Sequence, residues 1–107
     1  MMKKLFLVFS LFFIVLTASC TKSNTQPSLD NFAKCLTEKD VKFYGAFWCP
    51  HCTNQKKLFG DSLKYVNYIE CSTPDGKGQL KICQDASIKG YPTWEFADGS
   101  RIEGEVS

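Results

Sequence analysis

Hydrophobic and polar positions divide the chain into three stretches. Residues 1–19, MMKKLFLVFSLFFIVLTAS, begin with Lys3 and Lys4, run mostly apolar from Leu5 to Leu16 and end in small residues. A basic end, a short hydrophobic middle and a small-residue processing site predict a secretory signal. The competing reading is a retained membrane-spanning helix. The uncharged run is near the lower limit for a span and no basic residues crowd its far end, so a removed signal is the expectation. Residues 20–28, CTKSNTQPS, are polar and turn-rich with no apolar period, which predicts a flexible tether.

The domain is expected over 29–107. Ser28 is placed to cap a helix in which Leu29, Phe32, Ala33 and Leu36 share one face, with Cys35 beside it. VKFYGAFW, 41–48, is branched and aromatic and apolar on both sides, as a central strand is. Pro50 suits a first helical turn, so a helix is predicted over Pro50 to Phe59, with Gly60 as its stop. YVNYIEC, 65–71, predicts a second strand, STPDGKG a loop, and QLKICQDAS, 79–87, a short helix. PTWEFADGSRIEGE, 92–105, predicts a hairpin turning at Asp98-Gly99.

This order implies an α/β fold with a central mixed sheet of about four strands and flanking helices: parallel pairing across the strand-helix-strand part, antiparallel pairing in the hairpin. After GEVS no final helix covers the sheet, although such a sheet normally needs both faces covered. Either the sequence is a truncated domain or another protein covers that face.

Composition narrows the class. The 107 residues suffice for one small domain. Lys3 and Lys4 account for the formal charge of +2; the remainder carries eleven basic and eleven acidic residues, scattered rather than clustered. That pattern offers no electrostatic footprint for nucleic acid. Cys35, Cys49, Cys52, Cys71 and Cys83 lie in the part expected to be exported, where disulfides persist.

The chemistry concentrates in FWCPHC, 47–52. A cysteine at a helix start faces free backbone N–H groups and the positive end of the macrodipole, which favour the thiolate that attacks disulfides. Cys49 is the expected nucleophile, and Cys52, one turn on, the resolving thiol. Pro50 stiffens the turn, and His51 adds a donor and, when protonated, a positive charge beside the sulfur. Both helix and His51 favour the reduced pair, which makes the disulfide a stronger oxidant. A metal reading stays open: a zinc ribbon wants a second Cys-x-x-Cys or a His pair, and Cys71 and Cys83 have the wrong spacing, but Cys49, His51 and Cys52 could bind a soft ion such as copper(I). His51, the single histidine, would by itself read as a solvated surface residue, as the NQKK run does; Trp94, Phe96 and most other aromatics read as core.

Three resemblances sharpen this. LTASC resembles the lipobox of bacterial lipoproteins, with Thr17 where that pattern prefers Leu. It implies a lipidated Cys20 that anchors an exported, periplasmic or otherwise extracytoplasmic domain to a bacterial membrane without crossing it. Aromatic-Trp-Cys-Pro-His-Cys after a strand, with GYPT at 90–93, resembles the thioredoxin fold and, in its Cys-Pro-His-Cys form, the DsbA-type periplasmic oxidants. That implies a cis-proline at Pro92 facing the active-site sulfurs, with Tyr91 and Trp48 around them, and no cofactor. FAKCLTEKDVKFYGAFWCPHCTNQKKLFG, ECSTPDGKGQLKIC and GYPTWEFADGSRIEGEVS are similar to the thioredoxin-like domain associated with bacterial vitamin K epoxide reductase homologues.

The last resemblance implies that Cys49 and Cys52 oxidise cysteines of exported proteins and are reoxidised by a quinone-linked membrane partner. It also implies a structural disulfide between Cys71 and Cys83. Reductase or isomerase activity, as in cytochrome c maturation, is the alternative within the same chemistry. Two departures stand out. Phe43 occupies the position of the buried acid six residues before the first active-site cysteine, and the closing helix, with a cysteine that could pair Cys35, is absent. Proton removal from Cys52 must then use His51, water or another group.

Overall fold

The computed structural model describes residues 28–107. The expected signal, Cys20 and all of the tether except Ser28 lie outside the described residues. The first described element is α1 (Asp30–Glu38), where the Ser28 hydroxyl accepts the Asp30 N–H at 3.2 Å. The Asp30 carboxylate in turn accepts from the Ser62 hydroxyl at 2.5 Å, and these two hydroxyls hold its pKa below the usual carboxylate value. Of the apolar face of α1, only Ala33 is fully buried; Phe32 stacks on Phe59 with ring centroids 6.2 Å apart and stays 54% exposed.

Strand β1 (Lys42–Gly45) is central, α2 follows over Pro50–Phe59, and a 3₁₀ turn over Gly60–Tyr65 leads to β2 (Tyr68–Glu70). A short α3 (Lys81–Asp85) precedes the hairpin of β3 (Thr93–Glu95) and β4 (Arg101–Glu103). The sheet order is β2-β1-β3-β4, parallel between β1 and β2 and antiparallel elsewhere. The mixed α/β architecture with a four-stranded sheet is compatible with a thioredoxin-like fold. Among the described residues no helix is long and apolar enough to cross a membrane.

Alternation along the strands splits the interior into two layers. Phe43 pairs in register with Tyr68 on one side and Trp94 on the other, and their rings touch: edge-on to Tyr68 at 5.0 Å, stacked on Trp94 at 4.6 Å. This aromatic row carries the larger core, which includes Ala33, Val41, Phe59, Val66 and both Cys49 and Cys52. The opposite face holds Tyr44, Cys71, Cys83 and Ile88. Cys71 and Cys83, both fully buried, form a disulfide that ties α3 to the end of β2.

Three element boundaries differ from the sequence expectation or refine it. Strand β1 stops at Gly45 instead of running through Trp48, because Ala46–Cys49 closes a turn through Cys49 N–H to Ala46 C=O at 3.0 Å. Gly60 ends α2 but does not end the winding: at φ +51° it redirects the chain into the 3₁₀ turn, which takes Tyr65 away from the expected strand. The hairpin turns as expected at Asp98-Gly99; Gly99 N–H bonds Phe96 C=O at 2.9 Å, and Gly99 sits at φ +83° where a side chain would be strained. Beyond β4 the described chain forms no further helix. An apolar groove there is lined by Leu29, Phe32, Leu58, Phe96, Ile102 and Val106.

Candidate functional site: a buried cysteine pair at a helix start

The turn after β1 delivers Cys49 to the N-cap of α2, with Pro50 in the first turn. Cys49 Sγ accepts the backbone N–H of Cys52 at 3.3 Å, which fills one of the free donors of the helix start. Cys49 is 5% exposed and Cys52 fully buried, and both are free thiols. One sulfur can meet a partner; the other sits behind it. Burial, with the hydrogen bond to Cys49 adding to it, pushes the Cys52 thiol up to about 12. At neutral pH Cys52 therefore stays protonated.

The Tyr91–Pro92 bond is cis, and the Tyr91 carbonyl just before it accepts from Cys49 Sγ–H at 3.7 Å. Gln79 donates through Nε2 to the Tyr91 hydroxyl at 2.8 Å and to Ile88 C=O at 3.0 Å, which sets the Tyr91 ring. Trp48 meets that ring edge-on at 5.9 Å, and its Nε1–H donates to Ser72 Oγ at 2.9 Å. Trp48 remains 52% exposed and Phe47 54%, so an apolar rim stands beside the sulfur.

His51 is placed differently from the expectation. Its Nδ1 lies 2.8 Å from Glu105 Oε2, at the outer end of the hairpin, rather than on the Cys49 sulfur. Gln55, buried on α2, makes that contact possible: its amide donates to Val106 C=O at 3.1 Å and accepts Val106 N–H at 2.7 Å, pinning the segment across the helix. His51 is thus turned to Glu105 and does not join the two thiols. Among the described residues no group of three or more His, Cys, Asp or Glu could hold a metal ion.

Sequence reasoning did not single out Glu70 or Tyr68. Glu70, at the end of β2, accepts Phe47 N–H at 2.9 Å and Ser72 N–H at 3.3 Å, and the Tyr68 hydroxyl donates to its other oxygen. Burial first, then the Glu70 hydrogen bond and charge, push the Tyr68 phenol upward. The available signal was their spacing: Tyr68 and Glu70, two apart on a strand next to β1, share one face. Gln79, Glu105 and Gln55 carried no such signal, since their partners are 9 to 54 residues away along the chain.

No protein-family model matches the chain. It is 46% identical over 89 residues to the thiol-disulfide oxidoreductase LTO1 of Arabidopsis thaliana, covering 78% of this chain and 23% of that protein. It is 30% identical over 105 residues to the probable protein disulfide-isomerase ER-60 of Schistosoma mansoni, covering 92% and 21%. It is 36% identical over 87 residues to the thioredoxin domain-containing protein 5 homolog of Drosophila melanogaster, covering 69% and 19%. The chain spans about a fifth of the length of the curated relatives it matches. It is thus a homologue of thiol–disulfide oxidoreductases, with a mixed thioredoxin-like sheet beneath its cysteine pair.

Proposed function

We propose that the chain oxidises cysteine pairs of exported proteins in the cell envelope, anchored through lipid on Cys20 and reoxidised by a quinone-linked membrane partner of the vitamin K epoxide reductase type. The observation that supports exchange chemistry best is the asymmetry of the pair: Cys49 at the helix start under the Tyr91 carbonyl, Cys52 sealed behind it. In the disulfide form, a substrate thiolate attacks Cys49 Sγ. The substrate–Cys49 bond forms, the Cys49–Cys52 bond breaks, and Cys52 leaves with the electron pair and takes up a proton. A second substrate thiolate then attacks the first substrate sulfur, the substrate disulfide closes, and Cys49 leaves as thiolate. The substrate loses two electrons, the pair gains them, and the membrane partner removes them. Trp48, Phe47 and Tyr91 supply the apolar rim against which an extended peptide can lie, its backbone beside the Tyr91-Pro92 loop.

Reduction or isomerisation is the second reading, favoured by the disulfide-isomerase relative and by His51 facing Glu105 rather than the sulfur. Incubating the disulfide form with a reduced two-cysteine peptide separates the two. Closure of the peptide disulfide with matching loss of the Cys49–Cys52 bond is expected. Failure to close it, together with ready reduction of an oxidised peptide by the dithiol form, would reverse the direction. Release of the protein from membranes on Cys20→Ala tests the anchor; retention would contradict it.

A further inference from the structure

Cys52 must exchange a proton each time the pair turns over, and it is fully buried. Bulk water therefore cannot meet it directly. The position expected to hold an acid carries Phe43, fully buried and locked between Tyr68 and Trp94. The groups that face Cys52 are few. On α2 they are the Cys49 sulfur and Lys56, whose Nζ lies over the Tyr68 ring at 3.8 Å; His51, on the same helix, is turned outward to Glu105. On β2 it is Tyr68, across Gly45 from the sulfur, with Glu70 bonded behind it.

Gly45 shows how close this comes. A Cβ added there would lie 3.2 Å from Cys52 Sγ and 3.2 Å from the Tyr68 hydroxyl oxygen. The glycine keeps that approach open between the buried sulfur and the phenol. On the far side, the phenol hydroxyl is already oriented, donating to a Glu70 carboxylate oxygen, and Glu70 is only half-buried, within reach of solvent.

We propose that Tyr68 and Glu70 form the proton path of Cys52: the Tyr68 hydroxyl receives the Cys52 proton across one water in the gap beside Gly45, while handing its own to Glu70. In the oxidising direction the same path runs backward and protonates the departing Cys52 thiolate. The tyrosine ends each transfer neutral, so its own ionisation is never required, which suits a phenol that burial keeps protonated. One carboxylate and one phenol thereby take the place of the acid that Phe43 displaces. The inference rests on Cys49–Cys52 exchange being the chain's chemistry.

The test is the rate at which Cys52 resolves a glutathione mixed disulfide on Cys49, followed against pH in the unaltered chain, Tyr68→Phe and Glu70→Gln. Tyr68→Phe keeps the ring that Phe43 and Lys56 pack on. Resolution at pH 7 is expected to slow by about a hundredfold in Tyr68→Phe, the scale of a lost general acid–base group, with the deficit closing as pH rises and hydroxide takes over. Glu70→Gln is expected to follow the same profile. In a Cys52→Ala background, alkylation of Cys49 should run at the same rate with and without Tyr68→Phe, since that step needs no proton from Cys52. In the unaltered chain resolution should also be slower in D₂O, a readout that requires no variant to fold. Superimposable pH profiles, a parallel fall in Cys49 alkylation, or no solvent isotope effect would each overturn the path. A chain that never forms the mixed disulfide would instead remove the exchange reading itself.

Discussion

A thiol that must ionise is placed where ionisation is hardest, and that conflict governs the residues of the site. Cys49 and Cys52 differ in what surrounds them, so they should differ in what they trap. Cys52→Ser is expected to accumulate mixed disulfides through Cys49, whereas Cys49→Ser should form none; non-reducing mass spectrometry of the products decides it. His51 is expected to matter less than its place between the cysteines suggests. Its side chain is 70% exposed and its Nδ1 meets Glu105 rather than the sulfur, so solvent screens its influence on the pair. His51→Ala should therefore lower the reduction potential by less than ~30 mV, under tenfold in the equilibrium constant. A larger fall, measured in a glutathione buffer, would mean that His51 reaches the sulfur during turnover. The cysteines and Pro50 were legible because their spacing is local and their chemistry specific, whereas Pro92, far along the chain, was reached only through the resemblance that GYPT carries. Glu105 was not, because nothing near residue 51 announces a partner 54 residues away.

At the scale of elements, the site depends on how closely α2 approaches the sheet. A Cβ on Gly45 would lie 2.8 Å from Tyr68 Cε2 as well as 3.2 Å from Cys52 Sγ, so Gly45→Ala must push strand and helix apart. A loss of about 1–3 kcal/mol is expected, read from the urea midpoint of the reduced protein. The disulfide works on the other face. Cys71 and Cys83 are 12 residues apart, and closing so short a loop stabilises by about 2–3 kcal/mol. Cys71→Ala with Cys83→Ala should lower stability by that amount while leaving Cys49 alkylation intact. The element order and strand pairing could be read from periodicity and from turn residues. The early end of β1 could not: VKFYGAFW is uniformly strand-like, and only the turn that sets Cys49 on the helix, with Glu70 taking up the Phe47 N–H, stops it at Gly45. The 3₁₀ turn after Gly60 was hidden for a similar reason, since its contacts run back to α1 through Asp30–Ser62 and Thr37–Tyr65.

For the whole molecule, burial of Cys52 couples redox state to stability. Its folded-state value, about 12, lies above the ordinary 9.0, so the folded dithiol holds its proton more tightly than the unfolded chain does. The resulting stability is fully present below about pH 9 and is lost as pH rises toward about 12. The disulfide form has no such group to titrate. Denaturation midpoints of the two forms should therefore draw apart with rising pH in that window, the dithiol weakening more; parallel curves would contradict the burial of Cys52. Tyr68 is pushed upward chiefly by burial and by Glu70, which both forms share.

The central claim is that this pair donates its disulfide, and the reduction potential of Cys49–Cys52 against glutathione tests it most directly. A stabilised dithiol places the value well above that of thioredoxin, about −270 mV, and toward that of DsbA, about −120 mV. A potential as low as thioredoxin's would contradict the account and make the chain a reductant.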